Sequence, residues 1–126
     1  MELRPPVPIL RMYDLDKTKA FYVGFLGFAI DWEHRFEPET PVYMQVSRGA
    51  CRIHLSEHHG DATPISALRI EVPEDGALEA WQAELRASGY KYYRPGLQDQ
   101  EWGSREMSIQ DPSGNKLIFY RQLPRS

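Results

Sequence analysis

EWGSREMSIQDPSGNKLIFY, residues 101–120, reads as a strand, a tight turn and a second strand. Over Ser104–Gln110 the side chains alternate: Met107 and Ile109 fall on one face, Glu106, Ser108 and Gln110 on the other. Asp111-Pro112-Ser113-Gly114 makes the turn chemically. The carboxylate accepts from backbone N–H groups two residues on, proline presets φ, and glycine takes the position with φ > 0. Residues 116–121 return as a strand rich in apolar and aromatic side chains. Trp102-Gly103, just before the hairpin, sets a large indole beside a flexible backbone joint.

Upstream of the hairpin the same kinds of element occur twice. Residues 7–12 form a first strand, with Pro8 marking an edge or a gap in its pairing. Asp14 or Asp16 caps a helix over residues 15–26, in which Leu15, Phe21, Tyr22, Phe25 and Leu26 share a face and which Gly27 ends. Strands follow over residues 29–36, 42–47 and 51–56. In the first of them Ile30, Trp32, His34 and Phe36 alternate with Asp31, Glu33 and Arg35. Residues 58–64, HHGDATP, are a polar linker. A strand over 67–72 leads to a helix over 77–87, with Leu78, Trp81 and Leu85 facing inward and Gly89 closing it. Strands over 90–94, 104–110 and 116–121 complete the chain. Leu26-Gly27-Phe28 and Ser88-Gly89-Tyr90 are similar helix ends roughly 60 residues apart, as in a duplicated module. The expectation is an α+β fold of two βαβββ modules, about 7–57 and 66–122, in one domain over 1–126. A helix covers one face of each curled sheet, and the other face is left for a partner or a ligand.

Composition narrows the function. The 126 residues suit one ordinary domain; 41% are hydrophobic and 26% charged, which is globular rather than disordered. The formal net charge is −3, with acids and bases interspersed, which argues against a nucleic-acid surface. No apolar run is long enough to span a membrane, and MELRPPVPIL lacks the apolar core of a signal peptide. Cys51 is the only cysteine, which excludes an internal disulfide and fits a cytoplasmic location. No phosphate-binding glycine loop or nucleophile–base arrangement is present. Cys51 reads as a small core residue, and Glu37 and Glu39 as solvated turn residues.

The run W-G-x-R-E-x4-D-P-x-G-N over residues 102–115 resembles the glyoxalase/bleomycin-resistance/dioxygenase family, also called the vicinal-oxygen-chelate family. The front half of the chain supports the likeness: V-P-I-L-R-x-x-D-L, then F-Y, then L-G-F, are similar to that family's first strand and helix. Within the family the sequence is most similar to the bleomycin-resistance proteins, through Val7-Pro8-Ile9-Leu10, Trp32, Trp102-Gly103 and Arg105-Glu106-Met107. It departs from them in the extra residue Ser104 and in Met107 where phenylalanine is usual. The resemblance implies two βαβββ modules over nearly the whole chain.

Metal-dependent members of that family hold a divalent cation on the concave sheet face with His, Glu or Gln. Carried over position by position, those ligands fall on Val7, Ala67 and Ile118, none of which can coordinate a metal. Only His54, on the fourth strand, is a ligand type at a matching position. Its neighbours Ile53 and Leu55 pack under the helix and so turn His54 toward the cavity. His58 and His59 read as solvated linker residues. No metal and no cofactor is expected.

Phe21, Phe25 and Trp81 are core residues by helical position. Trp32, Phe36 and Trp102 have two roles open to them, packing in a core or dimer and contact with a ligand. The resemblance favours the second, because aromatics at the positions of Trp32 and Trp102 line an intersubunit groove in bleomycin-resistance proteins. The expectation is therefore a homodimer that sequesters a planar or cationic small molecule. Trp32, Phe36 and Trp102 would be stacking walls, and His54, Arg69 and Glu106 polar contacts. The alternatives are a metal-dependent lyase, dioxygenase or thiol transferase of the same fold, and a protein whose groove is filled by a partner chain.

Overall fold

The alternating stretches form two four-stranded sheets. In the computed structural model, which describes residues 1–124, β1 (Ile9–Arg11), β2 (Ala29–His34), β3 (Tyr43–Arg48) and β4 (Cys51–Ser56) make the first. The second contains β5 (Ala67–Glu71), β6 (Gln98–Asp99), β7 (Ser104–Gln110) and β8 (Lys116–Gln122). The strand orders are β1-β4-β3-β2 and β5-β8-β7-β6. In both, the opening strand runs parallel to the closing one and the other pairs are antiparallel. The same order built twice is the expected α+β fold.

One face of each sheet is apolar and covered. Leu10, Met44, Val46, Ile53 and Leu55 are buried in the first sheet, and Met107, Ile109, Leu117 and Phe119 in the second. Period-2 alternation puts the intervening residues on the opposite, open face. The first helix starts at Asp14, whose Oδ1 accepts from the Lys17 N–H at 2.9 Å, so Asp14 and not Asp16 is the cap. It is α-helical only over α1 (Leu15–Lys19) and widens into a π-helical turn over Ala20–Phe25. There the Leu26 N–H donates to the Phe21 carbonyl, five residues back, at 2.9 Å. Both windings bury Phe21, Tyr22, Phe25 and Leu26 together, so hydrophobic spacing does not distinguish them. Gly27, at φ 79°, ends the helix. The second helix, α2 (Ala77–Ala87), buries Leu78 and Leu85 and sets Trp81 edge-on to Phe119 at 4.8 Å.

Residues 90–94 are not a strand, contrary to the alternation there. Their anchors are side chains: Tyr90 stacks on Phe25 at 4.3 Å, and the Tyr93 hydroxyl donates to the Ser108 carbonyl at 3.1 Å. Pro95, which has no N–H to give a ladder, and Gly96 delay pairing until β6, where Gln98 and Asp99 meet Glu106 and Arg105. The first strand is also shorter than residues 7–12, but pairing continues past its ends. Pro8 accepts from the His54 N–H and the Met12 N–H donates to Ser56.

The turn between β7 and β8 joins the two halves. Asp111 is buried, and each of its carboxylate oxygens takes two hydrogen bonds. Oδ1 accepts from the N–H groups of Ser113 and Asn115 at 2.9 Å. Oδ2 accepts from the Tyr22 hydroxyl at 2.7 Å and Asn115 Nδ2 at 3.0 Å. The same Asn115 amide donates to the Arg11 carbonyl of β1 at 2.8 Å. Burial first, and the Asp111 charge second, push the Tyr22 phenol well above its ordinary pKa, so it remains a donor. Tyr22→Phe removes one of four donors to a buried charge. It should lower stability by about 1.5–3 kcal/mol, read as a shift in denaturant midpoint at unchanged slope.

Candidate functional site

The open face of the first sheet carries a polar ladder beside two aromatic rings. Ile30 pairs with Val46, but Trp32 pairs with Gln45, so Asp31 is an extra residue in β2. This bulge turns Asp31 and Trp32 to the same side and breaks the simple alternation expected over residues 29–36. Asp31 accepts from Gln45 Nε2 at 2.9 Å and from the Ser47 hydroxyl at 3.0 Å. These two bonds, in that order of weight, hold its pKa below the ordinary value. Gln45 Nε2 is thus committed to a carboxylate, which leaves Gln45 Oε1 facing His54 Nε2 at 3.0 Å. An oxygen there can only accept, so His54 carries its proton on Nε2 and takes the Tyr43 hydroxyl on Nδ1 at 2.6 Å. Desolvation lowers the His54 pKa and keeps this tautomer neutral. The Trp32 ring lies parallel to Tyr43 at 5.9 Å and edge-on to His54 at 5.3 Å. Phe36 lies past the end of β2, 78% exposed, against the rings of His34 and His58.

The open face of the second sheet centres on Glu106. Its side chain is only 6% exposed, and Oε2 accepts three hydrogen bonds. They come from Arg69 Nη1 at 2.7 Å, the Ser104 hydroxyl at 2.7 Å and Trp102 Nε1 at 3.2 Å. Burial pushes the carboxyl pKa up, but the bonds from Ser104, Arg69 and Trp102 outweigh it and the net shift is downward. The Arg69 guanidinium also lies 4.2 Å from the centre of the Tyr120 ring. Trp102 remains 64% exposed, so one edge of the indole is tied down and its face is bare. That exposure removes the core role for Trp102 within the chain, as 42% exposure does for Trp32.

Within the chain the six expected residues form two groups. Trp32 and His54 meet on the first sheet with Phe36 beyond them, and Arg69, Trp102 and Glu106 meet on the second. No hydrogen bond, ion pair or ring contact among the described residues connects the groups. Asp31, Tyr43, Gln45, Ser104 and Tyr120 were not singled out from sequence. Period 2 puts Tyr43 with Gln45, Ser104 with Glu106 and Tyr120 with Ile118 on their open faces, so taking all alternate residues of those strands finds four of the five, while Asp31 sits in the bulge and escapes that rule. The positions equivalent to metal ligands do not fit a cation. Val7 is an exposed aliphatic, Ala67 pairs with Lys116, and Ile118 lies between Arg69 and Ser108. Among the described residues no three His, Cys, Asp or Glu side chains converge as a ligand set. Cys51 packs against the core and burial raises its thiol pKa, which disfavours the reactive thiolate.

Known proteins share both sequence and shape with this chain. The family model described as "Glyoxalase superfamily protein" matches residues 2–125. A bleomycin resistance protein of Geobacillus stearothermophilus is 27% identical, over 93% of this chain and 96% of that protein. The crystal structure of the bleomycin-binding protein from bleomycin-producing Streptomyces verticillus, complexed with copper(II)-bleomycin, superposes with a TM-score of 0.68. The two are 28% identical, with 99% of each chain covered. Lactoylglutathione lyase from Agrobacterium tumefaciens shares the fold at a TM-score of 0.70 and 16% identity, with 95% of each chain covered.

The hydrogen bond from Trp102 to Glu106 has a pH signature. A depressed carboxyl pKa means that the bond, and the stability it contributes, is full above the unfolded-state glutamate range. Both are lost as pH falls through the lower folded-state value. The indole N–H resonance of Trp102, assigned by Trp102→Phe, should move in acid with a midpoint below the ordinary 4.5 of glutamate. A midpoint above that value would contradict the network.

Proposed function

The chain belongs to the glyoxalase superfamily, and from that premise we propose that it is a metal-free binding protein that sequesters a planar or cationic small molecule. The carrying observation is Trp102: a bare indole face fixed through its N–H to the buried Glu106 on an uncovered sheet. A ring held in place before binding loses little freedom when a flat ligand stacks on it. Trp32 on the other open face offers a second wall, with Phe36 at its rim and the neutral His54, held by Tyr43 and Gln45, presenting its ring to the indole. Arg69 and Glu106 supply the polar contacts of the second face. The bleomycin-binding relative at 28% identity supports this reading. The metal-dependent lyase, dioxygenase or thiol transferase reading lacks donors at Val7, Ala67 and Ile118 on which to build.

The groove is completed by a second copy of the chain. Trp32 and Trp102 lie on separate open faces, and a two-fold axis would set the first sheet of one protomer opposite the second sheet of its partner. Two equivalent grooves result. β2, an edge strand exposed along its whole length, favours such a partner. The protein would act in the cytoplasm, where a soluble dimer meets a ligand that has entered the cell.

Metal-loaded bleomycin, titrated against tryptophan fluorescence, tests the ligand class. Trp102→Ala should weaken binding by roughly 2 kcal/mol or more while lowering fold stability far less than the roughly 3–5 kcal/mol of a core tryptophan. A large stability loss with unchanged binding would return Trp102 to a packing role, and no binding by the parent protein would end the drug-sequestration reading. Light scattering at roughly 20–50 µM should give the mass of a dimer, and elemental analysis of the same protein, purified without chelator, less than stoichiometric divalent metal.

A further inference from the structure

Beside the Glu106 cluster lies a small cavity, about 230 Å³, lined by Gly96, Leu97, Gln98, Gln100, Glu106 and Ser108. It exists because residues 90–94 do not pair as a strand and β7 meets its neighbour only at Gln98 and Asp99. Its lining is rich in acceptors. The side chains of Gln98 and Gln100 and the Ser108 hydroxyl make no hydrogen bond among the described residues. Glu106 is nine-tenths buried, and all three of its donors go to Oε2. Oε1 is the acceptor still open on that carboxylate. An open, solvent-reachable oxygen on the largely buried Glu106, two carboxamides and a hydroxyl around one pocket match a group that brings several N–H donors and a positive charge.

The geometry points to a subsite for a primary ammonium head group, seated on Glu106 Oε1 with Gln98, Gln100 and Ser108 taking its remaining N–H bonds. An ammonium has three donors and no acceptor, and each polar side chain of this lining has an oxygen that can accept one of its N–H bonds, Glu106 adding the opposite charge. The Arg69 guanidinium does not compete for the place, because it bonds to Oε2 and lies over Tyr120 on its other contact. The cavity is smaller than the roughly 300–1,000 Å³ of a whole small-molecule site, so it takes one end of a ligand whose flat part stacks on Trp102. The inference rests on the binding function proposed above, and it narrows the ligand class to planar molecules bearing an amine.

Benzylammonium and benzyl alcohol have the same shape and differ in charge and donor count. In a titration of the intact protein followed by nitrogen–proton NMR, benzylammonium should saturably shift the side-chain amide signals of Gln98 and Gln100 and the Trp102 indole N–H. It should bind at least about tenfold more tightly than benzyl alcohol. Gln100→Leu and Ser108→Ala, both outside the Glu106 hydrogen bonds, should each weaken it by roughly 3–10-fold. Glu106→Gln should erase the preference, with circular dichroism checking that the variant is folded. Equal affinity for the two probes, or shifts confined to other residues, would overturn the subsite. Bleomycin binding without benzylammonium binding would overturn the subsite and leave the groove. The reverse result would retain the subsite and remove the groove's proposed ligand.

Discussion

A buried carboxylate with all its acceptor positions filled fixes the relation between the two halves of this chain. Asp111 takes two backbone N–H groups of its own turn, the Asn115 amide, and the hydroxyl of Tyr22 from a helix 89 residues earlier. A carboxylate withdrawn from water is tolerated only when its oxygens are bonded, and here they are. The tie is specific as well as favourable. Displacing the helix, or repacking the turn, would leave a charge unsatisfied in the core, which costs more than losing an ordinary contact. Asn115 extends the tie to Arg11 and therefore to β1, so the first sheet, its helix and the final hairpin are held at one point.

Where that point lies decides which surfaces stay open. The clamp draws the covered sides of the two modules together: Phe25 stacks on Tyr90, and Arg48 lies over the Trp81 ring. The opposite sheet faces are not used in joining the halves. They can therefore carry residues that a core would reject, such as the Tyr43–His54–Gln45–Asp31 ladder and the Arg69–Glu106 pair. Stability and the candidate site are in this way separated by the pleat of each strand, with alternate residues serving one or the other.

The parts legible in the sequence are those whose cause is local. The Asp111 turn, the helix stop at Gly27, the Ala77–Ala87 helix and the alternation through β7 each depend on a few neighbouring residues, and each is found as read. The parts that were not legible depend on distant partners. Tyr90 through Tyr93 alternate like a strand, but Phe25 and Ser108 claim their side chains and Pro95 interrupts the ladder. The bulge at Asp31 arises because Gln45 and Ser47 on the next strand both bond to its carboxylate, a pairing that composition does not reveal. At the site the residue types were readable and their grouping was not. Glu106, expected as a contact for a ligand, spends one oxygen on Arg69, Ser104 and Trp102, a division of labour visible only when the three donors converge.

That division shows how side chains alone can organise a sheet face on which relatives of this fold use a metal. In a metal site the cation organises the face by drawing several ligands to one point. On the second sheet here Glu106 does the organising: its charge is balanced by Arg69, and its hydrogen bonds fix Ser104 and the indole edge of Trp102. On the first sheet the neutral His54 does so, with Tyr43 on one ring nitrogen and Gln45 on the other. Both centres are full on the side facing the protein and present aromatic surface outward. Rings set beside polar groups that are already held in place would lose little freedom on meeting a flat partner, because the ordering that stacking requires is built into each face beforehand.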